Sequence, residues 1–344
     1  MVLTTIPPIA CDGKLDPDGH TQWLVHRETK AKLLNAPGYP RPVPKPDGPS
    51  AYVVRSTHNM GMGMFATRDI KIGEFIFAER PLFVGPRAAD DTLPDKFLDD
   101  RTRYSGAAMW MEHEKVLETA FDRMTTGGKS AIKSLMDNGI IAERGRLYSI
   151  LNTNASGITT LFDGQQELGF NHYIAVSKLA SRINHSCTPN VTFKFDLPSF
   201  SVQFTVMRPI KAGEQLFTSY GPINKTAAER QAQFIPHGFV CDCPACVNAT
   251  PESDKFRKEY KPLVETYLYW MTSSNEGTDV MLRHFLGHFL HHRDAMIKEG
   301  VDGSLEFAEL VACICRIYIK LGMQKEAELC REDYMGYKVL YDLR

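Results

Sequence analysis

The chain has 344 residues and a net charge of −1, with 43% apolar and 24% charged residues, which is the composition of a soluble globular protein. Near-neutral charge argues against a surface that is basic all round and made for nucleic acid. No stretch reaches the roughly 18 apolar residues of a membrane span, and the opening MVLTTIPPIACDGKLDPDG lacks the basic and apolar regions of a secretory signal. The chain is therefore expected in a reducing compartment, cytoplasm or nucleus, where clustered cysteines bind metal or do chemistry more often than they pair.

Residues 1–50 end in PGYPRPVPKPDGPS, and proline at that density opposes helix and central strand. They read as an extended arm with one short helix in HTQWLVHRETKAKLLN. From Ala51 the texture changes. AYVVRS reads as a strand, and GMGMFATRDIKIGEFIFAERPLFV as a glycine turn, a strand, the tight turn KIGE and a further strand. Residues 87–150 carry apolar residues at three- and four-residue spacing in PDKFLDDRTRYS, HEKVLETAFDRMTT and GKSAIKSLMDNG, a helical block without cysteine. NVTFKFD and FSVQFTVMRPI form a hairpin about LPS, and MRPIKAGEQLFTSYG repeats the earlier turn of basic residue, glycine and glutamate. The tail is helical, its end two antiparallel helices about LGMQ. Sheet segments split by a helical insertion and followed by a helical tail give an α+β architecture.

The eight cysteines are unevenly spread. Cys241, Cys243 and Cys246 fall in the short run CDCPAC, and Cys187 follows NHS in RINHSCTPN. Zinc takes four tetrahedral ligands, with thiolate at about 2.3 Å. Three cysteines on one loop leave one corner open, and Cys187 is the evident fourth. The alternative is a small buried Cys187 and an unpaired surface loop, but bare neighbouring thiols oxidise. Cys313, Cys315 and Cys330 lie in apolar helical texture and read as core. GMGMFA fits the spacing G-x-G-x-x-A, with Glu79 near the place of a dinucleotide-site acid. The context fails, because no long helix opens there: ATRDIKIGEF is broken by Gly73 and runs into FIF.

These pieces, in this order, resemble the SET-domain lysine methyltransferases. The likeness rests on GMGMFATRDIKIGEFIFAERPLF, then RINHSCTPN, MRPIKAGEQLFTSYG and CDCPAC, over about 51–86 and 150–247. It implies a fold of small curved sheets with a post-SET zinc loop. The helical insertion and tail look most like the SET-and-MYND group or its fungal relatives. Residues 87–150 hold no cysteine, so the MYND finger and any partner binding by it are expected to be absent. The division expected is an arm at 1–50, the SET N-terminal part at 51–86, the insertion at 87–150, the SET core at 151–222, the zinc loop at 223–247 and the helical region at 248–344.

The resemblance also assigns roles. S-adenosylmethionine is expected against the turn of Gly61, Met62, Gly63 and Phe65. Asn184 and His185 are expected to reach it through side chain and backbone, Asn154 from the same side, and Phe239 by stacking on the adenine. Many relatives carry lysine or arginine where Met62 stands, so the partner of the cofactor carboxylate is left open, with Arg55 and His58 as substitutes. Tyr220 is the expected catalytic residue, aligning a neutral lysine amine with the methyl donor. Thr218 stands where many histone-modifying relatives have a second tyrosine, which leaves the number of methyl groups open. Zinc on Cys187, Cys241, Cys243 and Cys246 is structural, since four protein thiolates leave no open position. The expected partner is a protein with an exposed lysine, without direct contact to nucleic acid or membrane. A non-catalytic scaffold, or a SET-type enzyme turned to a small molecule, are the alternatives, and the tail reads equally as a lid over the substrate or a plain cover for apolar surface.

Overall fold

The computed structural model describes residues 1–86, 106–140, 144–158, 161, 173–273 and 278–343. Strands β1 (Val2–Ile6) and β2 (Thr21–Val25) pair antiparallel, and helix α1 (Arg27–Leu34) follows. β2 then lies parallel to β6 (Phe83–Pro86), inside a five-stranded sheet completed by β8 (Tyr173–Val176) and β7 (Ala155–Ile158) in the order β1-β2-β6-β8-β7. This corrects the expected N-terminal arm. The prolines of residues 1–50 fall outside TQWLV, whose Trp23 and Val25 are fully buried, so that pentapeptide is free to form an interior strand. The short helix is present but covers only the second half of the segment expected for it.

The other sheets are small. β3 (Tyr52–Ser56) pairs with β4 (Met62–Ala66) across the glycine turn. β10 (Val191–Asp196) and β11 (Ser201–Val206) form the expected hairpin, and β11 also pairs with β5 (Phe75–Glu79). Cross-strand Phe77 and Phe204 stack at 5.0 Å in the main core. β9 (Asn184–His185) and β12 (Phe217–Thr218) form a short parallel pair. Strands β8 and β7, which had not been expected, extend the large sheet on the side of β6 away from the arm's strands.

Within the expected insertion, helices α2 (Gly106–Asp122), α3 (Thr126–Lys133) and α4 (Arg146–Thr153) pack Leu117, Ile132 and Ile150 against Leu24 and Phe83 of the large sheet. Both Glu114 carboxylate oxygens cap the start of α4, at 2.7 Å from the Leu147 amide and 2.9 Å from that of Tyr148. The run PDKFLDDRTRYS lies outside the described residues.

Past the site come α5 (Ala227–Phe234), α6 (Pro244–Val247), α7 (Pro251–Ser273), α8 (Asp279–Glu299), α9 (Leu305–Lys320) and α10 (Gln324–Tyr341). The last two are the expected antiparallel pair, turning at Gly322 with φ +68. Cys313 and Cys315 are buried in their core and Cys330 is half-buried at its edge. The tail seats on the sheet body at the turn Lys71–Glu74. A Cβ at Gly73 would stand 2.7 Å from the Gly336 carbonyl, and one at Gly336 would stand 2.2 Å from Ile72, so two glycines permit the contact. No helix among the described residues is long and apolar enough to cross a membrane.

Candidate functional site

The four cysteines meet. Sγ of Cys187, Cys241, Cys243 and Cys246 all lie within 4.8 Å of one another, with Cys187 and Cys246 at 3.5 Å. Thiolates around one zinc stand about 3.8 Å apart for bonds of about 2.3 Å, so the donor set fits a closed tetrahedral zinc centre. Local sequence builds the loop. A capping box of Thr226 and Glu229 starts α5, and Gln231 on that helix exchanges two hydrogen bonds with the Cys241 backbone, at 2.6 and 2.9 Å. Pro244 opens α6 with Cys243 at its N-cap, which turns Cys246 back toward Cys243. Hydrogen bonds from the Cys187, Cys241 and Cys246 thiols drive the Cys243 thiol far below its ordinary pKa. Cys187, hydrogen-bonded to Cys241 and its other neighbours, is driven up in turn.

Two fully buried arginines that the sequence reading missed surround this centre. Arg230 donates to the Ala245 carbonyl at 2.8 Å and approaches the Cys246 sulfur at 3.6 Å. Arg257 of α7 donates to the carbonyls of Cys187 (3.2 Å) and Ile223 (3.3 Å) and pairs with Glu299 at 3.1 Å. Four thiolates more than neutralise a zinc dication, and buried cations nearby offset the excess. The arginines stand in polar-looking helical sequence, where only the proximity of CDCPAC hints at them.

His185 links this centre to the rest of the site. Its Nε2 lies 3.3 Å from the Cys187 sulfur, and its Nδ1 accepts from the Tyr220 amide at 3.0 Å. Burial lowers its pKa to about 4, so the ring is neutral, with the proton on Nε2 pointing at sulfur. Both ring nitrogens are thus engaged within the protein.

Around that link the structure gathers most of the expected residues. Parallel pairing of β9 with β12 sets His185 beside Thr218, two residues before Tyr220. Asn190 locks the pair, accepting from the Phe217 amide at 2.7 Å and donating to the Gln215 carbonyl at 2.9 Å. The Asn184 side chain donates to the Met62 carbonyl at 3.2 Å, which brings the glycine turn to the NHSC loop. Asn59 donates to Asp242 at 2.8 Å, tying the same turn to the zinc loop. Gly61 has φ +69, and the space of a Cβ at Gly63 is filled by Thr57 at 2.6 Å and Gln215 at 2.7 Å, so this glycine is required by the chain's own packing. The Arg55 guanidinium covers the Phe65 ring at 4.0 Å, across from Gly63. Phe239 stacks on Phe234 at 5.0 Å and stands edge-on to Tyr220 at 6.2 Å.

Tyr220 is 41% exposed as a residue, but its hydroxyl points inward and donates to the Ile183 carbonyl at 3.0 Å. Enclosure of that end pushes its pKa up to about 12, so the phenol stays protonated. It lines a cavity of about 140 Å³ together with Ile183, Thr218, Ser219, Phe204 and Asn154. The Asn154 amide nitrogen is spent on the Met136 and Ile150 carbonyls, both at 2.7 Å, so only its oxygen is free to meet a ligand. A residue placed in the sequence reading only as a dinucleotide-site decoy holds the far wall. Glu79 accepts from the Leu179 amide at 2.8 Å and from that of Ala180, fixing the turn that leads to Ile183.

Small sheets thus enclose a knot of NHSC loop, glycine turn and cysteine loop. Residues 61–221 match the SET domain family, and the α+β fold with its helical tail agrees. Among its relatives, the histone-lysine N-methyltransferase set5 of Schizosaccharomyces pombe is 30% identical over 208 residues, 60% of this chain and 53% of that protein. A SET domain-containing protein of Acanthamoeba polyphaga mimivirus is 27% identical over 219 residues, 61% of this chain and 82% of its own. The SET domain and MYND-type zinc finger protein 6 of Schizosaccharomyces pombe is 37% identical over 113 residues, 32% of this chain and 22% of that protein. The chain thus spans about half the length of the set5 protein.

Proposed function

We propose that the chain is an S-adenosylmethionine-dependent protein-lysine N-methyltransferase with structural zinc on Cys187, Cys241, Cys243 and Cys246, acting in the cytoplasm or nucleus. One observation carries the proposal. The glycine turn, the Asn184–His185 strand, the Tyr220 hydroxyl and the four-cysteine cluster are bound into one site by hydrogen bonds that run between them. The set5 relatives, named as histone-lysine methyltransferases, support it.

The cofactor supplies an electrophilic methyl group on a sulfonium. The backbone of Gly61, Met62, Gly63 and Phe65, with Asn184, the His185 backbone, Asn154 and Phe239, forms its seat, and Arg55 across from Gly63 offers a cation for its carboxylate. The target lysine, with an ordinary pKa of about 10.4, has to lose its proton to water before it attacks. An apolar wall of Ile183, Phe193 and Phe204 disfavours its charged form. Tyr220, kept protonated and aimed at the Ile183 carbonyl, presents its oxygen with that carbonyl as a pair of acceptors that orient the amine. Alignment of nitrogen, methyl carbon and sulfur then supplies the rate gain. The test is transfer of labelled methyl from S-adenosylmethionine to a panel of histones, cytosolic protein and free peptides. Label on lysine of at least one panel protein is expected. Folded, cofactor-bound protein that labels none of them would overturn the proposal.

A further inference from the structure

We propose that His284 and His288 form a second metal site, for a divalent transition-metal ion, on the outer face of α8 and separate from the four-cysteine centre. Residues four apart on a helix share a face. On α8 the inner face carries Leu282, Leu286, Phe289 and Met296, all buried, which leaves both histidines exposed. Their Nε2 atoms point at each other across 3.2 Å, with ring centroids 4.7 Å apart.

That spacing is what chelation needs. Two imidazole nitrogens bound at about 2.0–2.1 Å stand about 3.3 Å apart at a tetrahedral angle and about 2.9 Å apart at a right angle. The observed separation lies between the two, so an ion seated to the side of the line between the nitrogens needs only a tilt of the two exposed rings. The helix below is held still: Phe285 packs on Trp270 at 3.8 Å, and Phe289 on Tyr267 at 4.2 Å. Gly287 between the two histidines has nothing within 4 Å of its Cβ position, so the outer side is open. Imidazole selects nickel, copper and zinc over magnesium and calcium. Two protein ligands leave the remaining positions to water or to a donor from another molecule.

Nickel tests this on the full, untagged chain after its cysteine centre has been loaded with zinc. Titration calorimetry is expected to show one Ni2+ bound per chain, and nickel-edge absorption to show two imidazoles. His284→Ala and His288→Ala should each weaken binding about a hundredfold, because the second bond forms intramolecularly. His291→Ala, one turn along the same face, should change little. Both positions are exposed, so circular dichroism should show an intact fold. Equal affinity in the His284→Ala/His288→Ala double variant, or a single imidazole on nickel in the unaltered chain, would overturn the proposal.

Discussion

Tyr220 and Glu79 hold opposite sides of one carbonyl-lined turn, and each makes a prediction. The Tyr220 hydroxyl is neutral and directed, so its proposed contribution is alignment. Tyr220→Phe should lower kcat about a hundredfold or more with S-adenosylmethionine affinity little changed. Equal loss in binding and turnover would instead give the ring a packing role. Glu79 is a different case: burial raises its pKa from 4.5 to about 7 despite its backbone donors. Between those values the folded chain holds a proton that the unfolded chain has released. Stability from this group is therefore complete below pH 4.5 and declines as pH rises to about 7. Glu79→Gln, neutral throughout, should lose that decline. Urea unfolding at pH 5 and 7.5 should show the unaltered chain falling by about 1–3 kcal/mol relative to the variant. Parallel pH profiles would refute it.

The elements legible in the sequence were those whose chemistry is contiguous. Two glycines beside Phe65, the run NHSC, and three cysteines in CDCPAC each announce a turn or ligand loop within a few residues. β2 was not legible because the prolines around it outweigh five buried, proline-free residues when a whole segment is read at once. Its partner β6 is also more than fifty residues away in sequence, and pairing at that range leaves no local trace. Arg230 and Arg257 were hidden for another reason: a charged residue in an amphipathic helix reads as solvent-facing until the partners it is buried against are known. The cysteine loop illustrates what such elements do. It is short, its α6 has four residues, and its buried side chains are few, so a metal on the four cysteines, together with Gln231, would hold it in place. Chelation of the metal, or Cys243→Ser, should cost about 3 kcal/mol or more, on the scale of a lost native disulfide. It should also open residues 223–247 to protease ahead of the tail helices. Proteolysis that begins in the tail, with the loop still protected, would show that the loop folds without the ion.

At the scale of the whole molecule, one fully buried side chain of the tail reaches the backbone of the site. Arg257 leaves α7 fully buried and binds the Cys187 and Ile223 carbonyls with one nitrogen, while its other nitrogens engage Glu299 at the end of α8. A helical region that merely covered apolar surface would have no need of a buried guanidinium. This one fixes the backbone of Cys187, and through Cys187 and His185 it is joined to the Tyr220 amide. Arg257→Met should therefore do two things. It should destabilise the chain by about 3–5 kcal/mol, because the Glu299 carboxylate and two carbonyls lose their partner in a dry setting. It should also weaken S-adenosylmethionine binding and zinc retention, although α7 touches neither ligand in the proposed arrangement. Glu299→Gln separates the two effects, since it removes the ion pair but leaves Arg257 on the Cys187 carbonyl. That variant should retain zinc and cofactor affinity while losing part of the stability. Should Arg257→Met lower the unfolding midpoint while zinc content and cofactor affinity stay at their original values, the tail would be a cover for the sheet body and not a support for the site.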